Sequence, residues 1–157
     1  MMSKITYNTI FMLFCIVASR LLPHPPNFTP VIAVFMLSGI VSLLPCLVAY
    51  IISDAIIGFN SYMLWVYGSL FLIAYFQRGA VFSSTLFFVI TNFAVWTSGY
   101  YGYTAQGLIM CYIMAIPFYI STLTSTVIFA TLFEYAQKNN IMGRITHTVG
   151  VHSLRKA

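Results

Sequence analysis

The sequence between Arg78 and Glu134 reads GAVFSSTLFFVITNFAVWTSGYYGYTAQGLIMCYIMAIPFYISTLTSTVIFATLF over residues 79–133 and contains no formally charged side chain. A helix that crosses the hydrocarbon core of a bilayer needs about 20 predominantly apolar residues, so this stretch holds two crossings and the turn between them. A segment of this length without charge is stable only in an environment that largely excludes water. The stretch therefore predicts a membrane protein.

The composition of the whole chain predicts the same environment. Hydrophobic residues make up 61% of the 157 residues and charged residues 6%, whereas soluble domains carry roughly 25% charged residues. The apolar runs lack the period-two alternation of barrel strands, and backbone groups that face lipid must be paired within a helix or a closed barrel. We therefore expect an all-α polytopic membrane helical bundle, with a transmembrane domain over residues 1–135 and a basic cytoplasmic tail over residues 136–157.

Prolines and charges divide the chain into predicted spans. The first span covers residues 5–22 and is ended by the proline-rich residues 23–27, because proline removes a hydrogen-bond donor and disfavours helix in the residue before it. Residues 30–58 would form a helix of roughly 43 Å, longer than the ~30 Å hydrocarbon core. A hairpin of two short helices of about 14 residues each, broken within residues 42–45, fits better. Three further spans, over residues 62–76, 80–97 and 106–133, bring the expected total to about six.

The distribution of basic residues predicts the orientation, because lysine and arginine near helix ends stay on the cytoplasmic side. With six spans and the N-terminus inside, Arg20 is the only basic residue outside. A five-span arrangement with the N-terminus outside gives the same charge bias, because Lys4 then lies outside and Arg20 inside. Lys4 ahead of the first apolar run and the break near Pro45 favour six. We expect a multi-pass protein of the cell inner membrane with cytoplasmic N- and C-termini.

Polar side chains gather at the predicted outer ends of the helices, where they would share one aqueous mouth. Arg20 and Asp54 have opposite charges, and ionisable groups at membrane depth usually pair or serve a pathway. Two interpretations stay open: a structural ion pair, or an Arg20 that meets an anionic group of a solute while Asp54 orients it. The predicted substrate-binding residues are Arg20, Asn27, Asp54, Asn92, Trp96 and Tyr100.

Three of the polar and aromatic positions have two possible explanations each. Asn92 lies within an apolar helix and needs a partner, which is either another helix or a substrate. Trp96 and Tyr100 belong either to the aromatic belt at the membrane interface or to the wall of a binding site. Small residues spaced by four would allow helices to approach closely, although such pairs are frequent by chance: Cys15 and Ser19, Ser38 and Ser42, Ala49 and Ser53, Ser121 and Ser125.

The motifs Arg20-Leu-Leu-Pro-His-Pro-Pro-Asn-Phe-Thr-Pro30 and Phe88-Val-Ile-Thr-Asn-Phe-Ala-Val-Trp96, with residues 107–118, resemble an uncharacterised bacterial family assigned to transport. That family is similar in layout to the substrate-binding S components of energy-coupling factor (ECF) vitamin transporters. The resemblance implies six helices, cytoplasmic termini, a ligand site under the first loop, and coupling to an ATPase-containing module on other chains. The Ala-x-x-x-Ala docking pattern of S components is replaced here by Cys15-x-x-x-Ser19.

The functional hypothesis is a substrate-binding transport subunit for a small, vitamin-like organic solute, energised by a partner. The alternative is a structural or assembly subunit of a membrane complex without its own ligand. No enzyme is expected, because Asp54 and Glu134 are predicted at opposite faces and no histidine cluster forms. No catalytic residue, metal or cofactor is predicted, and the cysteines are interpreted as packing residues. The expected partners are the lipid bilayer, the solute and the ATPase module, and the net charge of +5 is spread too widely to indicate nucleic acid.

Overall fold

A computed structural model of the chain describes residues 4–40 and 42–139. Within these residues the secondary structure is entirely helical, which confirms the all-α prediction for the described part of the chain. The residues that open the predicted tail continue the last helix to Lys138, and residues 140–157 lie outside the described residues. The helices are α1 (Lys4–Leu21), α2 (Val31–Ser38), α3 (Leu43–Ile57), α4 (Met63–Phe76), α5 (Ala80–Thr97) and α6 (Ala105–Lys138).

Local sequence explains most of the helix ends. α1 ends ahead of the prolines, and α4 ends at Gln77, which adopts a left-handed conformation with φ of 46°. α6 begins where the Thr104 side chain accepts a hydrogen bond of 3.0 Å from the backbone N–H of Gly107, a standard N-terminal cap. α6 then continues through Pro117 without interruption.

The break between α2 and α3 lies earlier than the sequence predicts. The prediction placed it within residues 42–45, whereas α2 already ends at Ser38 and α3 begins at Leu43. Gly39 ends α2 with φ of 58°, and an added Cβ at this position would overlap the side chain of Gln77. Pro45 does not break the chain because it occupies the first turn of α3, where its missing N–H would have no helical partner anyway.

The short helix α2 forms the centre of the molecule. It packs against each of the other five helices, and its residues from Val31 to Met36 are all buried. A helix that is apolar on every side is expected to be surrounded by other helices. With 8 residues, α2 is roughly 12 Å long and cannot cross a bilayer core of about 30 Å by itself. The expectation of two hairpin halves of similar length is therefore wrong, since α3 has 15 residues.

The outer surface of the helices is strongly apolar. By length and composition, two helices among the described residues, α5 and α6, are long and apolar enough to cross a membrane. In the 18-residue window used for each helix, 17% of the residues of α5 and 28% of those of α6 are buried, so most of these residues are partly or fully exposed. Large side chains on other helices are also exposed, including Leu64 (82%), Leu44 (71%) and Phe14 (68%).

Candidate functional site

An ion pair joins the end of α1 to α3. The Nη2 group of Arg20 donates to Oδ1 of Asp54, which confirms that the two predicted opposite charges are partners. Both groups lie away from the surface, since the side chain of Asp54 is 2% exposed and that of Arg20 is 18% exposed. The hydroxyl of Tyr67 on α4 donates to Oδ2 of Asp54 at 2.8 Å. Each carboxylate oxygen of Asp54 therefore accepts a hydrogen bond, one from Arg20 and one from Tyr67.

The guanidinium group of Arg20 is fixed but not fully satisfied. Its central carbon lies 4.0 Å from the centre of the Tyr50 ring, a distance at which the ring face attracts the cation. Its Nε atom is buried and has no hydrogen-bond partner among the described residues. An N–H donor buried without a partner is unfavourable, so the described residues do not use the full hydrogen-bonding capacity of Arg20.

The two tyrosines that frame this ion pair are absent from the residues predicted from sequence. A signal existed for Tyr50, because it precedes Asp54 by four residues on α3 and therefore shares its helix face. No comparable signal existed for Tyr67, because α4 contributes it through tertiary packing.

A cavity of about 230 Å³ lies beside Arg20. The first turn of the central helix forms part of its wall, through Val31 and Ile32. The residue that precedes this helix, Pro30, offers no side-chain hydrogen bond to the first turn, so the N–H groups there lack a cap. The cavity wall is formed by Arg20, His24, Asn27, Thr29, Val31, Ile32, Tyr50, Ile57, Phe87 and Thr122.

The proline-rich loop between α1 and α2 is attached to the middle of α6. The hydroxyl of Ser121 donates to the carbonyl oxygen of Pro26 at 2.8 Å. The single hydroxyl hydrogen of Ser125 has two acceptors in range, the carbonyl oxygen of Thr122 in its own helix at 2.9 Å and that of Asn27 in the loop at 3.4 Å. Asn27 adopts a left-handed conformation with φ of 58°, which asparagine tolerates better than most residues. Ser121, expected to allow close helix packing, thus bonds to the loop that forms part of the cavity wall.

A second cavity, of about 110 Å³, adjoins the first. The two share Asn27, Phe87 and Thr122 as wall residues, and Asn92 lines the second. The side-chain nitrogen of Asn92 donates to the carbonyl oxygen of Phe88 at 2.8 Å. The predicted partner of this amide was another helix or a substrate, whereas the structure shows a partner within its own helix.

Trp96 and Tyr100 lie in a part of the molecule away from the two cavities. The Trp96 ring packs against Phe93 and Tyr103, with ring centres 5.5 Å and 6.3 Å away, and Tyr100 is 83% exposed. Neither residue lines either cavity. This aromatic group borders the start of α6, whereas the loop is attached at Ser121, more than four helical turns or roughly 24 Å further along.

The predicted site residues therefore do not all line one common cavity. Arg20, Asn27 and Asp54 meet around the first cavity, and Asn92 lines the second. Trp96 and Tyr100 belong to the separate aromatic group.

Comparison with known proteins places the chain in a family without assigning it an activity. Neither a curated protein nor a solved structure is significantly similar to the chain. One family profile, described as a family of unknown function (DUF6580), matches residues 2–140, which is most of the sequence. The chain therefore belongs to this family of unknown function, DUF6580.

Proposed function

We propose that the protein is a multi-pass membrane protein whose six helices lie within the bilayer of the cell inner membrane, with cytoplasmic termini. The exposed apolar surface supports this proposal, because a soluble domain would leave such side chains in contact with water. The long apolar helices α5 and α6 are largely unburied, unlike the core helices of a soluble protein. The short helix α2 is covered by its neighbours, as a segment too short to span must be.

The protein binds a small organic solute that has an acidic group and acts as the substrate-binding subunit of a transport system. The observation that carries this proposal is the cavity at which Arg20 meets the uncapped first turn of α2. A helix N-terminus carries partial positive charge and unpaired N–H groups, both of which favour an anion. Interrupted helices whose N-termini lie inside the membrane form the substrate sites of many transporters.

The size and charge of the cavity limit the solute. At about 230 Å³, the cavity lies below the range of about 300–1,000 Å³ that is typical of pockets for drug-sized ligands. The Arg20 charge is balanced by Asp54, so the solute does not have to supply a full negative charge to neutralise the site. Both points favour a compact solute that is held by hydrogen bonds to Arg20 and to the first turn of α2.

Energy for transport would come from a partner. The sequence contains no phosphate-binding GxxxxGK[ST] loop, so the chain shows no motif for hydrolysing a nucleotide. The resemblance to ECF S components supports an ATPase-containing module on other chains as that partner.

Ligand-dependent thermal stabilisation tests the proposal. The purified chain in mild detergent is heated with each member of a panel of amino acids, vitamins and other small carboxylic acids. A specific ligand at 100 times its Kd stabilises the folded state by about 2.7 kcal/mol. Arg20→Lys, which keeps the charge beside Asp54 but removes Nε, should abolish the stabilisation. A panel without any stabilising acid, or an equal response of the Arg20→Lys variant, would contradict the proposal.

A structural or assembly subunit is the second candidate. One observation favours it: Arg20 and Asp54 already satisfy each other's charge without a ligand. Such a subunit would co-purify with other membrane proteins and would show no ligand-dependent stabilisation.

A further inference from the structure

The two adjoining cavities differ in the hydrogen-bonding groups that they present. The first contains Arg20, whose buried Nε is a donor without a partner. Among the polar side chains of the second, Thr91, Asn92 and Thr122 each donate one hydrogen bond to a carbonyl oxygen of their own helix. Thr91 donates to the carbonyl oxygen of Phe87 at 2.8 Å, Asn92 to that of Phe88 at 2.8 Å, and Thr122 to that of Phe118 at 2.8 Å.

These intrahelical bonds leave acceptors at the second cavity. A hydroxyl that donates its only hydrogen retains lone pairs, and an amide that donates one of its two N–H groups retains the other N–H and both lone pairs of its carbonyl oxygen. Because a backbone carbonyl can only accept, its bond to Asn92 fixes which end of the amide is nitrogen. Oδ1 of Asn92 accepts no hydrogen bond from any described residue. A donor on a solute would give this oxygen a hydrogen bond.

Aromatic side chains complete the second cavity. Phe87, Phe88, Phe118 and Tyr119 line it, and the rings of Phe88 and Tyr119 are in contact with centres 4.9 Å apart. Aromatic faces favour flat groups that stack on them or meet them edge-on. Asn27, Phe87 and Thr122 line both cavities, which makes the two cavities neighbours.

We propose that the solute has two different ends: an acidic group beside Arg20, and a flat group with an N–H donor that binds Oδ1 of Asn92. The inference rests on the proposed function, and it adds the chemistry of the distal end. The class of solute is a small aromatic or heteroaromatic acid that carries an amino or ring N–H group away from its carboxylate.

Three matched probes test this class: 4-aminobenzoate, benzoate and aniline. Isothermal titration of the full chain in mild detergent should give 4-aminobenzoate about five- to tenfold higher affinity than benzoate, as one hydrogen bond contributes roughly that factor. Aniline should bind more weakly than either acid, because it lacks the group that Arg20 holds.

Two asparagine variants locate the distal contact. Asn92→Leu should lower the affinity for 4-aminobenzoate to that for benzoate, and should leave the affinity for benzoate within about twofold. Asn139→Leu is the matched control, because Asn139 makes the same side-chain bond to a carbonyl four residues earlier, at 2.9 Å, outside both cavities. It should leave all three affinities unchanged.

The outcomes separate this inference from the proposed function. If both acids bind and Arg20→Lys weakens them, but the amino group or Asn92→Leu makes no difference, the two-ended solute is refuted and the acid-binding cavity stands. If neither acid binds, or if Arg20→Lys has no effect, the acid-binding cavity fails and the two-ended solute fails with it. If aniline binds as tightly as 4-aminobenzoate, the acidic end is refuted.

Discussion

Two regions of the molecule concentrate polar and aromatic side chains, and they are built in opposite ways. Around Arg20, charged and hydroxyl groups are buried, paired with one another and adjacent to a cavity. Around Trp96, aromatic rings pack on one another, and Tyr100 and Tyr103 at their edge are 83% and 72% exposed. The first region has the paired charges and the cavity that the proposed solute site requires. The second has the composition that is typical of a membrane interface.

The largest difference between the two regions should appear when the Arg20 charge loses its partner. Asp54→Ala leaves a largely buried guanidinium unpaired, and removal of one member of a buried pair typically lowers the free energy of unfolding by about 3–5 kcal/mol. Equilibrium unfolding in mixed micelles measures this loss. The double variant Arg20→Met/Asp54→Leu should recover most of it. A loss below about 1 kcal/mol for Asp54→Ala would mean that Asp54 does not hold Arg20.

A smaller loss is expected from the hydroxyl that positions Asp54. Tyr67→Phe removes the 2.8 Å hydrogen bond to Oδ2 and keeps the ring. Hydrogen bonds to charged groups contribute about 1.5–3 kcal/mol, so the same unfolding assay should show a loss in this range. In an Asp54→Leu background the loss should disappear, because the hydroxyl then has no carboxylate to bind. An unchanged loss in that background would argue against the network.

The loop attachment should contribute less again. Ser121→Ala removes one neutral hydrogen bond to the loop, for about 1 kcal/mol, and Ser125→Ala should cost less, because the Ser125 hydroxyl has a shorter bond within α6. Ser84→Ala is the matched control, because the Ser84 hydroxyl is buried and has no partner among the described residues. Its removal should be neutral or stabilising. Equal losses at all three serines would show that the loop contacts are not specific.

The smallest effect is expected in the aromatic region. Tyr100→Ser changes an exposed side chain whose ring packs against Tyr101, and surface substitutions usually alter stability by less than about 0.5 kcal/mol. Ligand-dependent stabilisation should also be unaffected. If Tyr100→Ser abolished ligand binding while Arg20→Lys did not, the functional roles of the two regions would be reversed.

Helix positions were predictable from the sequence because prolines, glycines and charges mark where helices end. The exception is informative: Pro45 was interpreted as a break, although proline is tolerated in a first turn, and Gly39 supplies the conformation that ends α2. A glycine in an apolar run gives a weaker signal than a proline, and its contact with Gln77 is tertiary.

The candidate site was only partly predictable. The opposite charges of Arg20 and Asp54 indicated a pair, and the structure contains it. The predicted topology placed Trp96 and Tyr100 on the same side of the membrane as Arg20, and they were therefore assigned to the same site. The topology does not give the depth of each residue along its helix. The loop meets α6 at Ser121, near its middle, and this depth depends on tertiary contacts that no local pattern encodes.

The most direct test of the account is mass spectrometry of small molecules retained by the full chain purified in mild detergent. Wild type, Arg20→Lys and Tyr100→Ser are prepared in parallel from the same cells. The account predicts a small acidic compound in the wild-type and Tyr100→Ser samples and its loss from Arg20→Lys. Retention of the same compound by Arg20→Lys, or its loss from Tyr100→Ser alone, would contradict the claim that the cavity beside Arg20 binds the solute.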